Sequence, residues 1–195
     1  MKKLTLIMTM ALAASMFQAC NNTGKDSVET ADSVNAEMDT TDKAVKEGSS
    51  GIAEYDAKFA VDAANGGMAE VALSKLAGDK ATNADVKSFA AMMINDHTKA
   101  NEELMAMAGS KNIMLPSAPG EEQQKTAADL GAKTGVDFDK DYVDIMVKDH
   151  DKTVDMFEDA AKNAVDPDLK AFVNKTLPAL KAHQAHAHAL QDKMK

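Results

Sequence analysis

Tryptophan and arginine are absent from the sequence, and only one cysteine occurs among its 195 residues. A single cysteine excludes both an intramolecular disulfide framework and a zinc cluster built on cysteines. Without arginine, the chain has no forked, bidentate donor for gripping phosphates and carboxylates. The net charge of −9 leaves no cationic surplus to neutralise a nucleic-acid backbone. We therefore expect no nucleic acid among the partners of this protein.

Aromatic residues are also scarce, at 4%, whereas apolar residues make up 45% of the chain. This apolar content is sufficient for a hydrophobic core, so the chain as a whole is not disordered. The length fits one compact domain with an additional segment. No feature of the composition points to a particular reaction, and we expect a protein that is not an enzyme.

The first twenty residues have the pattern of a targeting signal. Lys2 and Lys3 precede an apolar run over residues 4–17, which is too short to span a bilayer as an ordinary helix. Ala19 and Cys20 follow, and this order resembles a bacterial lipoprotein signal. The resemblance implies a signal peptide over residues 1–19 and a lipid on Cys20. The lipid would anchor the protein to a membrane of the cell envelope, and we expect this to be the outer membrane. The alternative is a plain secretory signal with a stray cysteine.

Residues 20–51 are polar and acidic, with only scattered valine and alanine. Such a segment buries too little apolar surface to offset the entropy lost on ordering the chain. We predict a disordered tether here, with a weak helical bias around residues 34–45.

From residue 52 to residue 195 the apolar residues recur with a helical period. Asn83 and the Asp166-Pro167 pair are strong helix-start signals, and Gly78 is a possible stop. We also assign the start of the third long helix to a cap by Asp137. The sequence thus predicts four long helices and a short one between the second and third, over residues 54–78, 84–108, 136–163, 166–195 and 121–130.

The two halves of this region are related by an internal duplication. An offset of 83 residues places Phe59 on Tyr142 and residues 85–89 on residues 168–172. Two similar helical hairpins joined by the long segment 110–134 predict an all-α protein with the ferritin-like four-helix bundle topology, in which one connection crosses the bundle.

Each long helix has one titratable side chain within its apolar stripe: Glu70, His97, His150 and His183. A buried polar group without a partner costs about 1–3 kcal/mol, so these side chains must find hydrogen-bond partners or a metal ion. One carboxylate and three imidazoles are donors that suit Zn, Cu or Fe. The alternative is a metal-free network of hydrogen bonds that fixes the register of the helices.

The di-iron signature of ferritin-like proteins is missing. That signature has a glutamate three residues before a histidine on two helices, whereas Ile94, Val147 and Leu180 stand three residues before the three histidines.

Neighbouring residues point about 100° apart on a helix, so Asp96 should lie at the edge of the stripe and pair with Lys99.

These segments resemble a bacterial family, the domain of unknown function 4142, often labelled "predicted outer membrane protein". The resemblance covers residues 54–192 and lies in residues 59–77 with Gly66, Gly67 and Glu70, in Asp96-His97-Thr98-Lys99, in Asp149-His150, and in Leu177-Pro178 with His183. It implies a ferritin-like bundle in the cell envelope and no established reaction.

Three hypotheses about function follow. The first is an envelope lipoprotein that binds a metal ion in its core for sequestration or stress protection. The second is a structural or interaction module with a metal-free core. The third and weakest is a metal-dependent oxidoreductase. We assign no catalytic residue.

Overall fold

The computed structural model describes residues 26–43 and 53–195, with side chains over residues 26–38 and 53–195. The predicted signal peptide, Cys20 and residues 44–51 lie outside the described residues.

The described residues form six α-helices and no strand, which confirms the all-α prediction. Two of the predicted helix starts are confirmed in detail. The Asn83 side chain accepts hydrogen bonds from backbone amides in the first turn of the helix that follows it. The Asp166 side chain likewise accepts from backbone amides in the first turn of the helix that begins at Pro167. None of these helices is long and apolar enough to cross a membrane. Their bounds are α1 Ser27–Lys43, α2 Glu54–Lys80, α3 Ala84–Ser110, α4 Glu121–Gly131, α5 Gly135–Asn163 and α6 Pro167–Lys193.

Two predicted helix boundaries were wrong. Gly78 does not end α2, which continues to Lys80, and Asp137 does not cap α5, whose N-cap position is Thr134. The turn after α2 is instead fixed from outside, because the buried carboxylate of Asp139 accepts hydrogen bonds from that turn.

The helices pack as two antiparallel hairpins, α2–α3 and α5–α6, and the two hairpins lie against each other. Lys193 at the end of α6 contacts Asp85 at the start of α3, at 3.1 Å. At the opposite end of the bundle, Lys111 contacts Asp166 at 2.7 Å. The chain from α3 to α5 therefore runs the length of the bundle, with α4 on the way. This is the predicted topology, two hairpins with one lengthwise crossover.

A pair of buried aspartates makes the duplication visible in the structure. Asp139 near the start of α5 accepts the amides of Thr82 and Asn83 in the turn of the other hairpin, at 3.0 and 2.9 Å. Asp56 near the start of α2 accepts the amides of Val165 and Asp166 in the turn of its opposite hairpin, at 3.1 and 2.6 Å. The two sets of residues are again 83 positions apart. Each hairpin thus closes the turn of the other by satisfying amides that would otherwise be unpaired.

The hydrophobic core consists of two clusters, one toward each end of the bundle. One contains Phe59, Phe157 and Phe172, with a T-shaped contact of 5.0 Å between the first two rings. The other contains Phe89 and Tyr142. The titratable side chains described below lie between the two clusters, so packed apolar side chains hold them in place from both ends.

The prediction of a disordered tether over residues 20–51 was wrong for the part that is described. Helix α1 packs against the bundle with Ala31 buried at 1% exposure. The amide of Asn35 donates to the Met114 carbonyl at 2.9 Å, and its oxygen accepts from the Met114 amide at 2.8 Å. Contacts of this kind join the helix to the crossover segment. The composition of residues 20–51, on which the prediction rested, does not reveal them.

Candidate metal centre

Four helices bring their buried titratable side chains to one place in the middle of the bundle. Glu70 on α2, His97 on α3, His150 on α5 and His183 on α6 are each 4% exposed or less. Each lies within the apolar stripe of its helix, so the packing that buries the stripe also buries the polar group. All four sequence-predicted candidates are therefore in the interior and close together.

Glu70 is hydrogen-bonded to one of the imidazoles and close to a second. Its Oε2 atom lies 3.0 Å from Nδ1 of His97, and its Oε1 atom lies 3.4 Å from Nδ1 of His150. A carboxylate oxygen only accepts, so Nδ1 of His97 carries the proton and donates it. Nε2 of the same ring points away from Glu70.

His150 is oriented by its own helix. Its Nδ1 atom lies 2.9 Å from the backbone carbonyl of Met146, one turn earlier. A carbonyl has no proton to give, so Nδ1 is again the protonated nitrogen. The neutral ring then has its lone pair on Nε2, which faces the interior.

His183 is held by a residue that the sequence analysis assigned to a different partner. Nε2 of His183 donates to the carboxylate of Asp96 at 3.0 Å, so the lone pair of the neutral ring lies on Nδ1. The prediction that Asp96 pairs with Lys99 did not identify this hydrogen bond with α6. Asp96 and His97 do point in different directions, but the direction taken by Asp96 leads to α6. The signal that could have identified it is its position at the edge of the stripe, where a neighbouring helix lies within reach.

One nitrogen of each imidazole is left without a partner. Nε2 of His97, Nε2 of His150 and Nδ1 of His183 are buried and make no hydrogen bond among the described residues, and Oε1 of Glu70 also makes none. In each ring the unpartnered nitrogen is the one opposite the hydrogen-bonded nitrogen. An unsatisfied buried polar atom is rare, and three in one place indicate a missing partner.

The spacing of the three rings suits a single ion. One nitrogen from each ring lies within 4.8 Å of the other two, and the ring centroids are 5.3 to 5.6 Å apart. Three imidazoles bound to a tetrahedral ion at about 2.05 Å would have centroids about 5.2 Å apart. The ring centroids therefore have nearly the spacing that a shared ion requires.

The pKa shifts separate a coupled pair, Glu70 and His97, from the other two imidazoles. Burial opposes ionisation of Glu70, but the charge of His97 and its hydrogen bond outweigh burial, so the pKa of Glu70 is lowered. Burial likewise opposes the charged form of His97, but the Glu70 charge dominates and raises the pKa of that imidazole. Burial lowers the pKa of His150 and, with the nearby His97 charge, the pKa of His183.

The position of Glu70 relative to the three histidines differs from the prediction. The sequence analysis put it in one ligand set with the three histidines, whereas the group with metal-ligand spacing comprises the histidines alone. Glu70 contacts His97 at Nδ1, the side opposite the unpartnered nitrogen. Carboxylates that orient a metal-binding histidine in this way raise its basicity and fix its tautomer.

A pocket of about 50 Å³ adjoins the site. Glu70, Asp96, His97 and His183 line it from the site, the other polar residues of its wall are Asp62, Asn101, Thr153 and Thr176, and the rest is apolar or glycine. Gly66 is part of that wall, and no atom lies within 4 Å of the place that a side chain would take there.

Comparison with known proteins gives a family and a fold. The profile of the family described as "Domain of unknown function (DUF4142)" matches residues 36–190. No curated protein matches the chain. Among solved structures, one that is similar to this chain is the "Crystal structure of DUF305 fragment from Deinococcus radiodurans". The TM-score is 0.64 and the sequence identity is 12%, and the match covers 73% of this chain and 98% of the other. At that identity the likeness concerns the fold alone.

Proposed function

The chain belongs to the DUF4142 family, and we propose that its three buried imidazoles bind one divalent transition-metal ion. The ligands are Nε2 of His97, Nε2 of His150 and Nδ1 of His183. Zn, Cu and Fe are the ions that such nitrogen donors suit. The protein would act by holding the ion, for sequestration or for protection against metal stress.

The observation that carries this proposal is the pattern of hydrogen bonds on the three rings. Each ring uses one nitrogen for an oxygen acceptor, namely Glu70, the Met146 carbonyl or Asp96, and leaves the other nitrogen buried and unpartnered. An outer acceptor on each ring and a free inner nitrogen are the arrangement found around metal-bound histidines. A network evolved only to fix the helix register would pair these nitrogens with one another or with other polar groups.

The test is the metal content of the full chain, purified without a histidine tag. The protein is incubated with one equivalent of Zn²⁺, Cu²⁺ or Fe²⁺, the free metal is removed by gel filtration, and the bound metal is measured by mass spectrometry. We expect one ion per chain for at least one metal. His150→Gln should abolish the binding, because it removes a ligand while keeping a side chain of similar size.

His188→Gln is the matched control. His188 is also on the histidine-rich last helix, but it is half exposed and bonded to Asp151 at 2.9 Å. This variant should retain the full metal content. A wild-type protein that remains metal-free with all three ions would refute the proposal and favour the metal-free structural module instead.

We also propose that the bundle is carried by an envelope lipoprotein of the ferritin-like type, anchored through a lipid on Cys20. The support is the order of basic residues, short apolar run and cysteine at the start of the chain, together with the lengthwise crossover of the bundle. In a bacterial host, radiolabelled palmitate should label the wild-type chain, and Cys20→Ala should lose both the label and the membrane association. A labelled Cys20→Ala chain, or an unlabelled wild type, would contradict the anchor.

A further inference from the structure

The pocket beside the three imidazoles gives the site a direction in which a further ligand can approach. We propose that the bound ion keeps one coordination position open toward this pocket and that the position takes a small neutral molecule of diatomic size. This inference rests on the proposed metal binding and adds the class of ligand that the ion would receive.

Three protein ligands leave one position of a tetrahedral ion free. Metal sites that only stabilise a fold usually have four protein ligands, whereas sites that bind an external ligand have three. His97 and His183 line the pocket and His150 does not. The pocket therefore adjoins the triad at His97 and His183, with α2 and α5 completing its wall, and we place the open position on this side.

The size of the pocket limits the ligand. About 50 Å³ is room for a molecule of a few atoms and not for a bulky organic ligand. Gly66 borders this space, and a Cβ at this position would have no atom within 4 Å apart from its own helix backbone and chain neighbours, so a larger side chain there has room to occupy it. The neighbouring Gly67 differs, because Asn101 covers it and leaves its Cβ position only 2.1 Å from the amide oxygen.

The charges around the pocket favour a neutral ligand over an anion. No lysine lines the pocket, whereas Glu70 and Asp96 do, and both contact ligand histidines. Two carboxylates balance the charge of a divalent ion, so an entering anion would bring an uncompensated charge into a low-dielectric space. The remaining wall holds no cationic side chain, and most of it is apolar, with Leu104, Met156, Phe157 and Phe172 among its side chains; Asp62 adds a further carboxylate, and Asn101, Thr153 and Thr176 are its neutral polar groups.

Carbon monoxide is a suitable probe, because it is neutral, diatomic and binds copper(I) held by imidazoles. The full chain is loaded with copper, reduced without oxygen, and exposed to carbon monoxide, and the bound molecule is detected by its infrared stretching band. We expect one carbonyl band whose intensity saturates at one carbon monoxide per copper.

The key variant is Gly66→Leu, which fills the pocket from α2 without touching a ligand. It should keep its copper, and its affinity for carbon monoxide should fall by at least about tenfold. Gly66→Ala adds a smaller group into space that is already open and should show an intermediate loss, which guards against a leucine variant that fails to fold. Gly78→Leu is the matched control, because Gly78 is on the same helix, has equally open space and is outside the pocket. It should bind carbon monoxide like the wild type.

The outcomes separate this inference from the proposal on which it rests. Copper that binds without giving a carbonyl band overturns the open position and leaves the metal site intact. Equal carbon monoxide binding by Gly66→Leu and Gly78→Leu overturns the role of the pocket. A tight azide adduct of the copper(II) protein, seen by its charge-transfer band, without a carbonyl adduct of the copper(I) protein, overturns the neutral class of ligand. A chain that binds no copper overturns both proposals.

Discussion

Glu70 acts on the candidate site through the hydrogen bond that it accepts from His97, rather than as a metal ligand. Its carboxylate fixes the tautomer of His97, so that the inner nitrogen of the ring is available to a metal. The same logic applies to Asp96 and His183. The chemistry of the site is therefore set by five side chains, of which the sequence pattern indicated four.

The first prediction concerns this orienting carboxylate. Glu70→Gln keeps the shape of the side chain but replaces a charged acceptor with a neutral amide. We expect metal affinity to fall about 10- to 100-fold with the helical content unchanged, since losses of this size follow removal of a partner behind a ligand histidine. Competition with a coloured chelator measures the affinity. Glu54→Gln, on the exposed start of the same helix, should leave it unaltered, and an equal loss in both variants would contradict the role given to Glu70.

Asp149 gives a prediction about pH. Burial, reinforced by the Glu70 charge, raises the pKa of Asp149 from 3.8 to about 6. Its ionised form is therefore disfavoured in the folded protein, and the cost appears as the pH rises from about 4 through 6. Asp149→Asn should stabilise the metal-free protein in urea unfolding at pH 8 and have no such effect at pH 4. A variant that is less stable than wild type at pH 8 would show that the carboxylate is favourable where it stands.

At the scale of the helices, the two halves of the duplication hold each other together through Asp56 and Asp139. Each carboxylate caps the turn of the opposite hairpin with two or more hydrogen bonds. Because both are fully buried, removing either leaves backbone amides without an acceptor.

Asp139→Ala and Asp56→Ala should each lower the free energy of unfolding by about 2–4 kcal/mol. Urea unfolding followed by circular dichroism measures both. Asp79→Ala, at an exposed position of α2, should change the stability by less than about 0.5 kcal/mol. The near-equality of the two losses is the specific expectation, and a variant at one position with no effect would contradict the paired role.

Much of this architecture could be predicted from the sequence, for identifiable reasons. The periodic apolar stripes gave the helices, and the offset of 83 residues gave the two hairpins. The same offset relates Asp56 to Asp139 but does not reveal their function, because the groups that donate hydrogen bonds to them are backbone amides of another hairpin. Helix α1 was predicted only as a weak helical bias around residues 34–45, and the partner of Asp96 was missed, for the same reason. Both depend on contacts between segments distant in sequence, such as Asn35 with Met114.

At the scale of the whole molecule, the site belongs to all four helices of the bundle at once. Each main helix supplies one of the four buried groups, and the two apolar clusters lie on either side. An ion held by residues of three helices binds only the assembled bundle and therefore stabilises the folded state.

Thermal unfolding tests this coupling. At a free metal concentration about 1,000-fold above the dissociation constant, the folded state should gain about 4 kcal/mol, so the midpoint should rise by several degrees. His150→Gln should show no rise, and His188→Gln should show the wild-type rise. A midpoint that metal raises equally in all three proteins would indicate binding elsewhere on the surface.

The central claim is that three imidazoles coordinate one ion in the interior, and X-ray absorption at the K edge of the bound metal tests it most directly. The account predicts about three nitrogen donors at 2.0–2.1 Å, with the outer-shell scattering that is characteristic of imidazole rings. A first shell made of oxygen atoms, without imidazole scattering, would place the ion on surface carboxylates and contradict the account.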